Sequence, residues 1–251
     1  MSDHSLFISD LHLSAQRPDI TKAFVRFCAD RASNAESLYI LGDLSDAWLG
    51  DDDDSDIAKV LRTEIKKLTS VGVKVFIMAG NRDFLMGQAF ANDCGCEILP
   101  DPSVINLYGQ PVLLMHGDSL CTSDTEYMGF RAQIRNPDMQ QMLLSKSLEE
   151  RRGIAKMLRE KSRSANASKA ADIMDVTPDE VVKALLNHNV DIMIHGHTHR
   201  PKIHSLFTDT EQQAEAKRYV LGDWDTQGWC ITAAKDHQSL KPTLTLESFD
   251  F

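Results

Sequence analysis

An α/β fold is predicted by three observations. Short β-favouring apolar runs alternate with stretches of helical spacing. Several of the runs stop at polar residues, most sharply Tyr39-Ile40-Leu41 at Gly42-Asp43. The chain, 251 residues and 42% hydrophobic, is long and apolar enough for one large domain or one domain with an insertion. In α/β proteins ligands bind at the carboxyl ends of strands, so Asp43 reads as a carboxylate delivered to a sheet edge. Gly42 permits the tight turn and close approach this needs. Taken alone, Asp43 reads equally as a strand-ending residue capping the next turn.

The other elements follow in order. Leu6-Phe7-Ile8 is a short strand that runs into Asp10-Leu11-His12. If that segment stays extended, Asp10 and His12 point the same way and can face one ion; otherwise they belong to a polar turn. Asp19 is expected to cap a helix with Ile20, Ala23, Phe24, Phe27 and Cys28 inward. The acidic run Asp51–Asp54 reads as a solvated loop, because unpaired like charges repel, with Trp48 beside it at the core edge. Asp56 opens a helix with Ile57, Val60, Leu61, Ile65 and Leu68 on one stripe. Val73–Met78 is a strand ending in Gly80-Asn81-Arg82-Asp83, a metal-capable oxygen beside a guanidinium that can clamp phosphate, or simply a Gly-Asn turn. Val104–Leu107 and Val112–Met115 form a hairpin whose second strand ends in His116-Gly117-Asp118. Thr177-Pro178-Asp179-Glu180 is a capping box opening a helix to about His188. Asp191–Ile194 runs into His195-Gly196-His197-Thr198-His199, and three strands around 218–222, 229–232 and 243–246 are expected to close a second sheet.

Five strand ends therefore carry Asp10 and His12, Asp43, Asn81, His116, and His197 with His199. All are oxygen or imidazole donors, which suit Mn²⁺, Fe²⁺ or catalytic Zn²⁺ rather than a thiolate-held structural zinc. Seven donors exceed one tetrahedral ion and suit two ions, about 3.5–4 Å apart, sharing a carboxylate that activates water and clamps a phosphoryl group.

The bulk numbers limit the alternatives. A net charge of −10 disfavours generic nucleic-acid binding. No stretch reaches the apolar length of a membrane span, and the first residues lack a secretion-signal pattern, so a cytoplasmic setting is expected. Five cysteines, with Cys94-Gly95-Cys96 too close for a zinc or redox spacing, read as structural or incidental. The charge is uneven, however. Between Thr125 and Ala170 ten Lys/Arg stand against five Asp/Glu, an excess of +5 that leaves −15 elsewhere.

The order Asp10-x-His12, Gly42-Asp43, Gly80-Asn81-Arg82-Asp83, His116-Gly117-Asp118 and Gly196-His197-x-His199 resembles that of the calcineurin-like metallophosphoesterases. The resemblance implies a four-layer α-β-β-α sandwich with two Mn²⁺ ions. Asp10, His12, Asp43 and His199 would hold one ion, and Asp43, Asn81, His116 and His197 the other. His195 matches no ligand position and reads as supporting or structural. Longer strings, among them Ala47-Trp48-Leu49-Gly50-Asp51-Asp52, Ser162-x-x-x-Asn166-x-x-Lys169 and His197-Thr198-His199-Arg200-Pro201, are similar to those of the UDP-2,3-diacylglucosamine diphosphatases of lipid A biosynthesis. In that family the pyrophosphate is split to UMP and 2,3-diacylglucosamine 1-phosphate by a metal-held hydroxide attacking the α-phosphorus. By this resemblance Asp43, Asn81, Arg82 and His116 are catalytic, and Asn81, Arg82, Asp124, Ser162, Asn166, Lys169 and His197 contact substrate. Ser45-Asp46 departs from the family pattern, which has a bulky residue and then Glu, and leaves the ligands intact.

One domain over 1–251 is expected, with a helical cap inserted at about 124–176. The cap carries Met128, Phe130, Met139, Met142, Leu143, Leu144, Met157 and Leu158 at largely helical spacing. It is either a lid on its own core or an adaptable apolar seat for acyl chains, whose Lys/Arg face an anionic inner-membrane surface. No obligate protein partner is expected. Two rivals are a soluble dinuclear phosphoesterase acting on a nucleotide, favoured by lack of a cap, and a metal-free binding scaffold, favoured by loss of ligands.

Overall fold

The computed structural model describes residues 4–167, 175–209, 214–236 and 241–251. In the first sheet β1 (His4–Ile8), β2 (Ser37–Leu41), β3 (Lys74–Met78) and β4 (Glu97–Leu99) lie side by side and parallel. The second sheet has the order β5 (Ser103–Leu107), β6 (Gln110–Met115), β7 (Ile192–His195), β9 (Ala214–Val220), β8 (Lys202–Asp209), with β6, β7 and β9 parallel. The late strands β10 (Gly228–Ala234) and β11 (Thr243–Phe249), expected in the second sheet, instead extend the first one antiparallel from β1. Alternation gives a strand's buried face but not its neighbour, and Phe7 paired to Ile231 decides the membership.

Strand alternation builds the layers. Leu6, Ile8, Leu38, Ile40, Val75 and Ile77 point to one side and pack with Ile20, Phe24, Phe27, Leu61, Ile65 and Phe90. Those partners come from α1 (Pro18–Asp30), α2 (Asp56–Ser70) and α3 (Gln88–Cys94). Phe7, Tyr39, Leu41 and Met78 point the other way and meet Val112, Leu114, Ile194 and Tyr219 between the sheets. Leu113, Met115 and Met193 leave the far face of the second sheet and pack on Val181 and Leu185 of α7 (Pro178–His188). The result is the four-layer α-β-β-α sandwich. Between β6 and α7 stand α4 (Thr125–Ile134), α5 (Pro137–Leu144) and α6 (Leu148–Ala167).

Several local expectations change. Arg17, not Asp19, occupies the cap position of α1; Pro18 takes the first helical position and Asp19 pairs with Arg17 at 2.7 Å. Thr177 sits at the N-cap position of α7, but its side chain makes no capping hydrogen bond; its hydroxyl accepts from Thr122 at 2.9 Å instead. The acidic run is solvated only in part: Asp52 and Asp54 are exposed, while Asp51 and Asp53 are withdrawn from solvent. Asp51 accepts the Gly87 and Phe90 amides at the start of α3, and Asp53 is buried and caps Ser55. Asp52 takes a two-pronged ion pair from the buried Arg151 of α6, at 2.7 and 2.5 Å, and Asp54 pairs with Arg152. Like charges are tolerated there because each finds its own donor.

Candidate metal centre

Parallel, in-register strands end at one edge. β1, β2 and β3 are followed by Asp10, Asp43 and Asn81, and β6 and β7 by His116 and His197. The turns that follow are strained. Seven non-glycine residues among those described have positive φ, and five of them are Asp10, His12, Asp43, His197 and His199. Such backbone persists only where the surroundings enforce it, and here it clusters on the expected ligands. Asp10 (φ 56°) and His12 (φ 49°) are thus not in an extended segment, as the alternation argument supposed. The Asp10 and His12 amides donate instead to the Gly42 and Asp43 carbonyls, at 3.0 and 2.9 Å. Gly42, at φ 92°, is needed for space as well, since a Cβ there would lie 2.7 Å from the Gly80 Cα.

Two groups of donors converge. Asp10, His12 and His199 offer ligand atoms within 4.8 Å of one another, and so do Asp10, Asp43 and His116. Asp43 faces both ways: Oδ2 lies 3.8 Å from His12 Nε2, and Oδ1 lies 3.7 Å from His116 Nε2. Asn81 Oδ1 stands 3.0 Å from both His116 Nε2 and His197 Nδ1. Around these atoms the chain fixes orientation. His116 Nδ1–H donates to the Leu41 carbonyl at 2.8 Å, which leaves Nε2 turned to the cluster. His199 Nδ1 faces Asp223 at 3.3 Å. Asp83 accepts the Asp43, Leu44 and Gly80 amides. His195 donates to its neighbour's carbonyl, Gly196 O, and contributes no donor to the cluster.

The electrostatics demand cations. Asp10, Asp43, Asp83 and Asp118 are buried together. Burial pushes the His116 imidazole down, but Asp43, Asp118 and Asp10 outweigh it and raise it to about 9. His199, against the same opposition from burial, is raised to about 10 by Asp10 and Asp223. Burial and the His116 charge push His197 down to about 4. Burial raises the Asp83 carboxyl, with help from Asp43, to about 6. Asp10 Oδ1 is buried, makes no hydrogen bond and lies 3.5 Å from His199 Nε2, which in turn faces His12 Nε2 at 3.3 Å. A buried carboxylate oxygen with no hydrogen bond and two facing imidazole nitrogens fit a divalent cation between them.

The remaining expected site residues scatter around this centre. Arg82 donates its amide to Asp43 Oδ1 at 2.8 Å, and its side chain, with Ser162, lines an adjoining cavity of about 420 Å³. Trp48, Phe84, Phe130, Ile154 and Leu158 line the same cavity. Asp124 is buried and caps α4 through the Tyr127 amide. Lys169 and the side chain of Asn166 lie outside the described residues. Sequence reasoning missed the parts played by Asp83 and Asp223. Leu221-Gly222-Asp223 repeats the triplet Leu41-Gly42-Asp43, which was signal enough.

An α/β sandwich that gathers carboxylates, an amide and imidazoles at its strand ends to hold two divalent ions is a metal-dependent phosphoesterase by class. Residues 4–201 match the family model of the calcineurin-like phosphoesterases. A UDP-2,3-diacylglucosamine hydrolase of Cellvibrio japonicus is 51% identical over 95% of this chain and 98% of its own length. Proteins of the same name from Pseudomonas paraeruginosa (53%, covering 90% and 93%) and Marinobacter nauticus (51%, covering 92% and 94%) are similarly close. The chain belongs to the calcineurin-like phosphoesterase family and, within it, to the UDP-2,3-diacylglucosamine hydrolases.

Proposed function

We propose that this chain hydrolyses the pyrophosphate of UDP-2,3-diacylglucosamine, releasing UMP and 2,3-diacylglucosamine 1-phosphate, a step of lipid A biosynthesis, and that it does so with two Mn²⁺ ions. One observation carries the substrate choice: the donor cluster opens past Asn81 and Arg82 into an apolar cavity roofed by the inserted helices α4 and α6. A diphosphate at the cluster therefore has a place beside it for acyl chains.

Asp10, His12, Asp43 and His199 would hold one ion and Asp43, Asn81, His116 and His197 the other, with Asp43 between them. Bound divalent ions supply Lewis-acid stabilisation of phosphoryl oxygens and a water of lowered pKa. The chain's own residues do the rest. Arg82 places a guanidinium where charge grows on the diphosphate. Asp223 and the Leu41 carbonyl hold the His199 and His116 rings in orientation. By the resemblance, Ser162, Asn166 and Lys169 would contact the substrate, Lys169 through its phosphate.

The same reading places the protein at a membrane surface, where its substrate resides. Among the described residues no helix is long and apolar enough to cross a bilayer. Exposed Met142, Leu144 and Met157 on the cap, with Lys156 and Lys161, support contact with the bilayer surface.

The test is turnover of UDP-2,3-diacylglucosamine with Mn²⁺ added and removed. Equal amounts of the two products are expected, and in heavy-oxygen water the label should enter UMP, as attack on the α-phosphorus requires. Label in the lipid product would reject that regiochemistry, and absence of turnover would reject the substrate.

A further inference from the structure

We propose that a second, more polar cleft beside His12 seats the nucleotide half of the substrate, an inference that rests on the substrate reading above. The cleft has a volume of about 640 Å³, reaches the donor cluster and carries a larger share of polar lining than the apolar cavity. Asp10, His12 and Asp223 form its inner end, whereas Asn81 and Arg82 form that of the apolar cavity. The two spaces share Asp46 and Arg159, whose ion pair at 2.5 Å makes the wall between them. A diphosphate laid across the cluster must therefore extend one way into each space.

Its two ends differ as the spaces do. The diacylated sugar is greasy and matches Phe130, Ile154 and Leu158. Uridine is uncharged and polar, with an imide edge of acceptor, donor and acceptor and a ribose diol. The cleft offers Gln16, whose amide can both donate to and accept from that edge, and is lined as well by Ser14 and by Asp225, which takes the Arg17 guanidinium. Lys156 of α6 lines the same cleft and supplies a cation for the phosphate that leaves with the nucleoside. Gln16 and Lys156 are exposed, so neither is part of the core. The arrangement also accounts for Asp46. The carboxylate at this position is kept although the side chain is one methylene shorter than the family's Glu, and it holds Arg159 as the partition.

The test measures inhibition of the Mn²⁺-loaded enzyme by UMP, by inorganic phosphate and by the diacylglucosamine 1-phosphate product. Gln16→Ala is expected to raise the UMP inhibition constant about fivefold, the size of one hydrogen bond, without moving the phosphate constant. Lys156→Ala should raise the UMP constant similarly, and both variants should leave inhibition by the lipid product within about twofold of wild type. Leu158→Asp should do the reverse, weakening the lipid product and sparing UMP. Unchanged UMP inhibition in both cleft variants, or loss of UMP inhibition in Leu158→Asp alone, overturns the proposal. Calorimetric titration of UMP into the same proteins decides the matter independently of turnover. If wild type fails to cleave the diacylated substrate, the parent reading falls, while the titration still shows whether this cleft holds a nucleotide.

Discussion

Asp83 holds Asp43 in place by its backbone: Asp83 Oδ1 accepts the Asp43 amide at 3.3 Å and the Gly80 amide at 2.6 Å, and its other oxygen takes the Leu44 amide at 2.8 Å. The strained turn that aims Asp43, at φ 52°, depends on this brace. Asp83→Asn exchanges one acceptor for an amide that faces N–H donors. The cost should be about 1–3 kcal/mol for each donor left unpaired. A fall in Tm together with a fall in bound metal per chain is expected. A variant that keeps full metal content would reduce Asp83 to a structural residue.

Asp43 itself turns one oxygen to His12 and the other to His116. Asp43→Ala should therefore disturb both ions, where His199→Ala should disturb one. Metal analysis of the purified variants should separate the two cases. In the wild type, chelation should abolish turnover, and Mn²⁺ should restore it better than Mg²⁺, since the mixed carboxylate and imidazole set suits the softer ion. Full turnover by a verified metal-free preparation would falsify the dinuclear mechanism.

The cap is fastened to the core by buried charge. Asp118, directly after His116-Gly117, accepts from Tyr127 Oη and Arg131 Nε of α4, each at 2.9 Å. Burial pushes the Asp118 carboxyl up, but His116, His197, Arg131 and Arg135 outweigh it and hold it well below the usual carboxylate range. A depressed folded-state pKa gives stability that is present above the ordinary value of 3.8 and lost as pH falls below it. Acid unfolding should thus steepen below about pH 4. Asp118→Asn should be less stable at neutral pH and show a shallower loss on acidification. Denaturant titrations at several pH values would measure both slopes, and equal slopes would count against Asp118.

The fold class was legible because alternation and helical stripes say which face is buried. The donors were legible because each follows a strand end. What the sequence could not give was partnership. Trp229–Thr232 reads from the sequence as a strand of the second sheet, and only the pairing of β10 with β1 places it in the first. Asp51–Asp54 reads as repulsive until Arg151 and Arg152, a hundred residues on, are brought against it. The same pairing changes the meaning of the basic island. Arg131, Arg135, Arg151, Arg152 and Arg159 turn to carboxylates or carbonyls of the core, so much of the +5 fastens the cap rather than facing lipid.

Membrane attachment should therefore be modest. Among the described side chains of α6, Lys156 and Lys161 are exposed cations, each worth about 1 kcal/mol near an anionic surface, whereas the exposed Arg152 is paired with Asp54. Flotation with anionic vesicles should show reversible binding that weakens with salt and drops in the Lys156→Glu, Lys161→Glu double variant. Equal binding to neutral and anionic vesicles would assign the attachment to Met142, Leu144 and Met157 alone.

Selectivity for the lipid gives the last prediction. Bare UDP-N-acetylglucosamine offers the metal centre the same diphosphate, so the chemistry alone does not discriminate. The apolar cavity should, because each buried CH₂ contributes about 0.8 kcal/mol. About five such groups give roughly 4 kcal/mol, near a thousandfold in kcat/KM if realised in the transition state. The side chain chosen for the test matters. Leu143 lines the cavity but is also buried in the main core, and Leu144 is exposed and does not line it. Leu158 is half-buried and faces the cavity without belonging to the core, so a charge there damages the seat and spares the fold. Leu158→Asp should cut kcat/KM for the acylated substrate at least tenfold, the loss of two or more buried methylenes, and leave any residual turnover of UDP-N-acetylglucosamine within about twofold. The measurement is the ratio of the two kcat/KM values in wild type and variant. A wild-type ratio near one would mean that the helices over this cavity are a lid with no say in the substrate, and the reading as a soluble phosphoesterase would replace this one.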